Sequence, residues 1–328
     1  MANITFLIGN GLDIKLGLKT SYSDFYNSLS YNSKNEIIKN IKNEPETWSD
    51  FETAFGKFAK QSEDAETTMD AHDEITELLN DYLKKQDEFF NLESKNNSDK
   101  LTDDVIHNTL KSIERDFIQN NHNENQSANS QIHNILKVRS QNQYFFINFN
   151  YTTTLTKLIN RYKEYENSYS PKLLGHDSDF KIHGTLDNKV TLGVNHRDDI
   201  ANPLFENQYT FCVKPECLEN MNDGRVEEAE NLIDSSHIIV IFGMSIGPSD
   251  KKWWDKILRH LEYNLDSILV IHDYYVGGIS ATVPRKLAKI QNEIKNRILR
   301  YYEGEGKEDI SRRIFPVINS EHIFHFEE

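Results

Sequence analysis

Cysteine is nearly absent: Cys212 and Cys217 are the only two in 328 residues. With four residues between them and no second pair, they cannot complete a tetrahedral zinc site, and they read as free thiols of a reducing compartment. No apolar run approaches the roughly 20 residues that a membrane-crossing helix needs. The chain opens on a strand-like run, Ile4-Thr5-Phe6-Leu7-Ile8, with neither a basic region nor a small-residue cleavage site. A cytoplasmic protein without a membrane partner is expected. Positive charge is also short, since 37 Lys+Arg face 52 Asp+Glu for a formal charge of -15. That balance repels phosphate backbones and argues against nucleic acid as a partner.

What is present is enough chain for a substantial core, and more than one compact unit usually contains. Either one domain with a large insertion or two domains would account for it. Apolar runs rich in β-branched and aromatic residues recur at Ile4 to Ile8, Tyr144 to Phe149, His237 to Phe242 and Ser267 to Ile271, the pattern of buried parallel strands. After the second run, Leu155, Leu158, Ile159 and Tyr162 form one helical face, with Thr152 to Thr154 available as its cap. After the third, Trp254, Ile257, Leu258 and Leu261 form another, with Pro248, Ser249 and Asp250 as start signals. Strands alternating with helices predict an α/β fold with a Rossmann-like, doubly wound parallel sheet. Residues 1–30 and 140–328 are assigned to that nucleotide-binding core. Residues 31–139 are polar and helix-patterned, with stripes at Phe51, Phe55 and Phe58 and at Leu78, Leu79, Tyr82 and Leu83, and are assigned to a large helical insertion. Asn-rich stretches around Ser94 to Ser98 and Asn120 to Ser130 lack apolar periodicity and are expected to be exposed connections.

Five polar or glycine-bearing loops follow predicted strands at the same end, where open α/β sheets bind ligands. In Gly9-Asn10-Gly11-Leu12-Asp13, glycine lets the backbone approach a phosphate or ribose, although such turns also join strands to helices with no ligand. Asn148-Phe149-Asn150-Tyr151-Thr152 offers neutral amides and a hydroxyl suited to ribose or a positioned water, or simply a helix cap. Phe180-Lys181-Ile182-His183-Gly184 carries a histidine suited to general-base work near neutrality, with His176 as a competitor among 12 histidines. Phe242-Gly243-Met244-Ser245 breaks a strongly apolar strand into a small-residue loop. His272-Asp273 ends the next strand where ribose or base contacts occur, although a satisfied loop carboxylate is the commoner explanation for Asp273.

The opening Leu7 to Asp13, followed by Leu18-Lys19-Thr20-Ser21-Tyr22-Ser23-Asp24-Phe25, resembles the start of the AbiH-type bacteriophage abortive-infection family. Trp48-Ser49-Asp50-Phe51-Glu52, the Asn148 to Thr152 block, His183-Gly184 and Phe242 to Ser245 resemble that family's later signatures in order. More distantly, the succession is similar to sirtuin-like domains, several of which hydrolyse NAD in antiphage defence. That resemblance implies Asn150 and His183 as catalytic residues, orienting water or ribose and acting as base. It also implies cofactor contacts at Gly9, Asn10, Gly11, Asp13, Thr152, Gly243, Ser245 and Asp273, with NAD as substrate or ligand and no metal. Thr152 stands where sirtuin-like hydrolases usually carry aspartate, and the four-cysteine zinc module of the deacylases is missing.

These readings converge on an antiphage effector hydrolysing the nicotinamide-ribose bond of NAD(P), with Asp13, Asp250 or Glu52 supplying negative field. The alternative is an inactive nucleotide-sensing module whose helical insertion reports to a partner. A metal-dependent nuclease toxin, for which Glu93-Ser94-Lys95 and Glu305-Gly306-Lys307 supply the letters, ranks third. The expected partner is a nucleotide, with a homo-oligomer or a phage-derived trigger left open.

Overall fold

The structure, a computed structural model, describes residues 2–30, 33–90, 99–118, 126–138, 142–165, 179–187, 190–221, 224–275 and 283–325. Six strands form one sheet: β1 (Ala2–Ile8), β2 (Asn142–Asn148), β3 (Asp179–Lys181), β4 (Ile238–Phe242), β5 (Ile268–Asp273) and β6 (Ile314–Ile318). All pairings are parallel, in the order β3-β2-β1-β4-β5-β6. This is the doubly wound order, in which the chain leaves β1 toward β2 and later returns to its other side as β4. The β1/β4 seam is therefore the switch point.

Continuous apolar strands are required because both faces are covered. Ile4, Phe6 and Ile8 point to one face, where they pack against α6 (Asp99–Ile118), α7 (Gln126–Val138) and α8 (Thr154–Tyr165). Leu7, Ile239 and Ile241 point to the other, against α12 (Arg225–Asp234), α13 (Lys251–Tyr263) and α14 (Pro284–Leu299). The stripes expected in α8 and α13 are buried in these two layers. Pro316 in β6 is tolerated because β6 is an edge strand.

A second core, with no sheet, joins α2 (Tyr22–Ser28), α3 (Glu36–Asn43), α4 (Phe51–Lys60) and α5 (Ala65–Phe89) to residues between Leu186 and Val213. Residues 31–139 thus divide between two cores, α3 to α5 building the helical lobe while α6 and α7 cover the sheet. In α5, Leu79 and Leu83 are buried one turn apart, whereas Leu78 faces solvent. Gln126 to Ser130, expected as a connection, instead opens α7, because Ile132, Ile135 and Leu136 behind them anchor that helix on the sheet. The Ser94 to Ser98 stretch, Asn120 to Asn125, His176 and the Glu93-Ser94-Lys95 triplet lie outside the described residues. Among the described residues, no helix is long and apolar enough to cross a membrane.

Candidate functional site

A cleft of about 1090 Å³ opens over the C-terminal ends of the strands at the switch point, and all ten residues expected at the site line it. Its middle is backbone. The loop after β1 leads into a short helix, α1 (Gly11–Lys15), and crosses the loop after β4, with the Gly11 N–H donating to the Gly243 carbonyl at 2.9 Å and the Gly9 N–H to Phe242 at 2.9 Å. A β-carbon on Gly11 would sit 2.4 Å from Gly243 Cα, and one on Gly9 2.6 Å from the Gly243 oxygen. Gly243 itself has φ +71°. The side on which these glycines lack a β-carbon is filled by the opposing loop, while their backbone still lines the cleft. Asn10 is likewise engaged: its amide donates to the Thr20 carbonyl at 3.0 Å and accepts from the Thr20 hydroxyl at 2.6 Å, tying down the turn before α2.

The β2 loop forms one wall. Asn148 is fully buried, its Oδ1 accepting from the Asn150 N–H at 2.9 Å, and Asn150 Nδ2 donates to the Gly9 carbonyl at 3.1 Å. Thr152 donates to Asp13 Oδ2 at 2.7 Å, and Lys181 Nζ donates to the Thr152 carbonyl at 3.0 Å. Asp13 is 1% exposed and its Oδ1 has no hydrogen-bond partner. Burial pushes its carboxyl up to about 6, against the opposing hydrogen bonds from Thr152 and Thr154.

Past β3, His183 packs edge-on against Phe149, with ring centroids 5.5 Å apart, and lies 6.0 Å from Tyr151. Burial drives its pKa well below 6.5. The charge of Lys214 acts in the same direction, and a hydrogen bond with the Phe149 backbone opposes both. The ring is therefore a neutral imidazole at physiological pH, the form that accepts a proton.

Beside it lies an ionic group contributed by the helical lobe. Asp50 caps α4, receiving the backbone N–H groups of Glu52 and Thr53, and so fixes Glu52 in the first turn. The Glu52 carboxylate pairs with Lys214 Nζ through Oε1 and accepts from Asn195 Nδ2 at 3.3 Å through Oε2. Burial pushes Glu52 up to about 7 despite Lys214. Burial also opposes the charge on Lys214, but Glu52, Tyr151 and Asp250 together hold its pKa above the usual value. Glu52 and Asp250 were expected as sources of field; Lys214 was not, because a lysine opening a polar helix (Lys214–Met221) carries no sign in sequence that it is buried.

The opposite end is built by β5 and the segment after β6. Asp273 pairs with Arg297 of α14 and accepts from the Tyr274 N–H at 3.0 Å, so its carboxylate is already neutralised. His272 is buried with no hydrogen-bond partner on either ring nitrogen, and burial lowers it to about 3. Lys15 Nζ donates to the Ile323 carbonyl at 2.7 Å. Ser245 lines the cleft from an exposed position in the β4 loop.

The order of these loops along the chain, from the β1 glycines through the Asn148 to Thr152 block and His183 to Gly243, coincides with a family model described as bacteriophage abortive infection AbiH, which matches residues 5–272. The chain belongs to the AbiH family. No curated protein matches it. The AbiH match runs from Thr5 within β1 to the residue before the end of β5, and takes in every expected site residue except Asp273. The cleft wall formed by Asn319 to His325 also lies beyond it. Both cysteines of this AbiH protein are buried free thiols, Cys212 raised to about 12 and Cys217 to about 11 by burial. Among the described residues, no group of three or more His, Cys, Asp or Glu side chains is placed to hold a metal ion.

Proposed function

We propose that this AbiH protein binds NAD or NADP in the switch-point cleft and hydrolyses its nicotinamide-ribose bond, depleting the cofactor in an infected cell. The observation that carries this reading is the convergence of Asn150, a neutral His183, the buried carboxyl of Asp13 and the partly buried carboxylate of Glu52 on one cleft. The cleft volume of about 1090 Å³ lies just above the roughly 300–1,000 Å³ of ordinary small-molecule sites and suits an extended dinucleotide. In the reaction the C–N bond breaks with its electron pair leaving on neutral nicotinamide. The ribosyl carbon becomes cationic and water attacks it. His183 takes the water proton, and the carboxylates stabilise the developing cation in a site of low dielectric. Asp13 supplies the acid that Thr152 lacks, because the two side chains are in direct contact.

One observation favours the second reading, a nucleotide sensor without turnover. The Asn150 amide nitrogen and the Thr152 hydroxyl are both committed to internal hydrogen bonds. Measuring cellular NAD and NADP during phage infection separates the two. A hydrolase predicts a fall in cells carrying the natural chain and none with Asn150→Ala or His183→Ala. Unchanged cofactor levels alongside retained phage protection would favour the sensor.

A further inference from the structure

The cleft is electrically asymmetric. At the His183 end, Asp50, Glu52 and Asp250 line it, and Lys214 is the ammonium group that acts on Glu52 and Asp250. That ammonium is held by Glu52 from behind the cleft wall. The carboxylates outnumber it, and elsewhere in the cleft lining Asp13, whose charged neighbours are Asp87 and Lys181, adds a buried oxygen that has no hydrogen-bond partner. The same end carries Tyr22, Phe149 and Tyr151, and the faces of such rings attract cations. At the other end the charges are balanced: Asp273 is neutralised by Arg297, and Lys15 faces Asp116 and Glu321. An anionic or electron-rich ring would be repelled from the acidic end, and a neutral one would gain nothing from its charge. A flat cation would gain from both the carboxylates and the aromatic faces, and more so where water is excluded.

We infer that the acidic end is a recognition pocket for a cationic heteroaromatic ring, an N-substituted pyridinium, with Glu52 reading the charge and Lys214 and Asn195 positioning Glu52. The ribosyl substituent on that ring rests on the NAD(P) reading above. The consequence is discrimination by redox state. Oxidised nicotinamide carries the positive charge and is admitted; the reduced dihydropyridine is neutral and is not. After cleavage the released nicotinamide is neutral too, so the interaction that held the ring is lost. Lys214 has a defined part here. Packed carboxylates without a cation would keep protons rather than charge, and the pair with Lys214 favours the ionised form of Glu52 at a fixed orientation, with Asn195 holding its second oxygen.

The test uses the purified full chain titrated calorimetrically, at constant ionic strength, with 1-methylnicotinamide, a permanent pyridinium cation, and with nicotinamide, its neutral counterpart. The inference predicts that the cation binds at least about tenfold more tightly. Glu52→Gln should bring the ratio close to one, Lys214→Met should reduce it, and Lys214→Arg should restore it. Asp250→Asn, which leaves the Glu52–Lys214 pair intact, should give a partial loss and decides the matter if Glu52→Gln does not fold. Equal affinities for the two probes, or a preference untouched by both Glu52→Gln and Asp250→Asn, would overturn the inference. Neither probe contains a ribosyl bond, so the two proposals fail separately. Preference without NAD cleavage removes the hydrolase and keeps the pyridinium pocket; cleavage without preference does the reverse.

Discussion

Thr152 donates its hydroxyl hydrogen to Asp13 over 2.7 Å, linking the loop after β2 to the helix after β1. The carboxyl so held is nearly inaccessible to solvent and titrates at about 6, raised from 3.8 chiefly by burial. Between those values the folded chain keeps a proton that the unfolded chain releases. The stability tied to this group is therefore complete below about 3.8 and is lost as pH rises through about 6. At ~1.4 kcal/mol per pH unit the loss is roughly 3 kcal/mol. Asp13→Asn escapes it, so the melting temperature of the variant relative to the natural protein should rise between pH 4 and pH 7, while NAD cleavage falls. A gap that stays constant across that range would contradict the burial argument.

The three glycines at the β1/β4 seam serve backbone contact. Gly11→Ala puts a β-carbon against Gly243 Cα, where no flexible side chain can give way. Overpacking of this kind costs about 1–3 kcal/mol. Gly247→Ala, whose nearest neighbour is the Ser245 hydroxyl at 3.3 Å, should cost less. Urea unfolding of both variants checks the order, and equal midpoints would show that the seam can relax.

The pH dependence of turnover should come from carboxylates. His183 is already deprotonated well below 6.5, whereas Asp13 ionises at about 6 and Glu52 at about 7. Stabilising a ribosyl cation needs their charged forms, so kcat/KM for NAD should climb between pH 6 and pH 7 and then level off. Glu52→Gln should remove the upper part of that rise. A rise that survives Glu52→Gln and disappears in His183→Asn would assign it to the histidine.

Much of the fold was legible because buried parallel strands are continuous apolar runs. β1, β2, β4 and β5 each lie within two residues of the expected limits. β3, of three residues, left only a short run before His183, and β6, interrupted by Pro316, had too little pattern to mark a strand unaided. The cleft lining was legible for a topological reason: in a doubly wound sheet the loops after the strands must meet at the switch point, so Gly9, Asn150, His183 and Gly243 could be grouped without knowing their contacts. The occupants of the glycine gap and the burial of Lys214 were not legible. Both arise from contacts between segments distant in sequence, the β1 loop on the β4 loop and Lys214 on Glu52 of α4, and neither leaves a local periodic signal.

Hydrolysis of NAD in the cleft is read from nicotinamide release, followed by chromatography after purified protein is incubated with NAD, with and without extract from infected cells. Release by the natural chain is expected in at least one of these conditions, with a fall of about 10²–10⁴-fold in His183→Ala that still melts cooperatively. Release that persists in His183→Ala, or none from the natural chain in either condition, would contradict hydrolysis in the cleft.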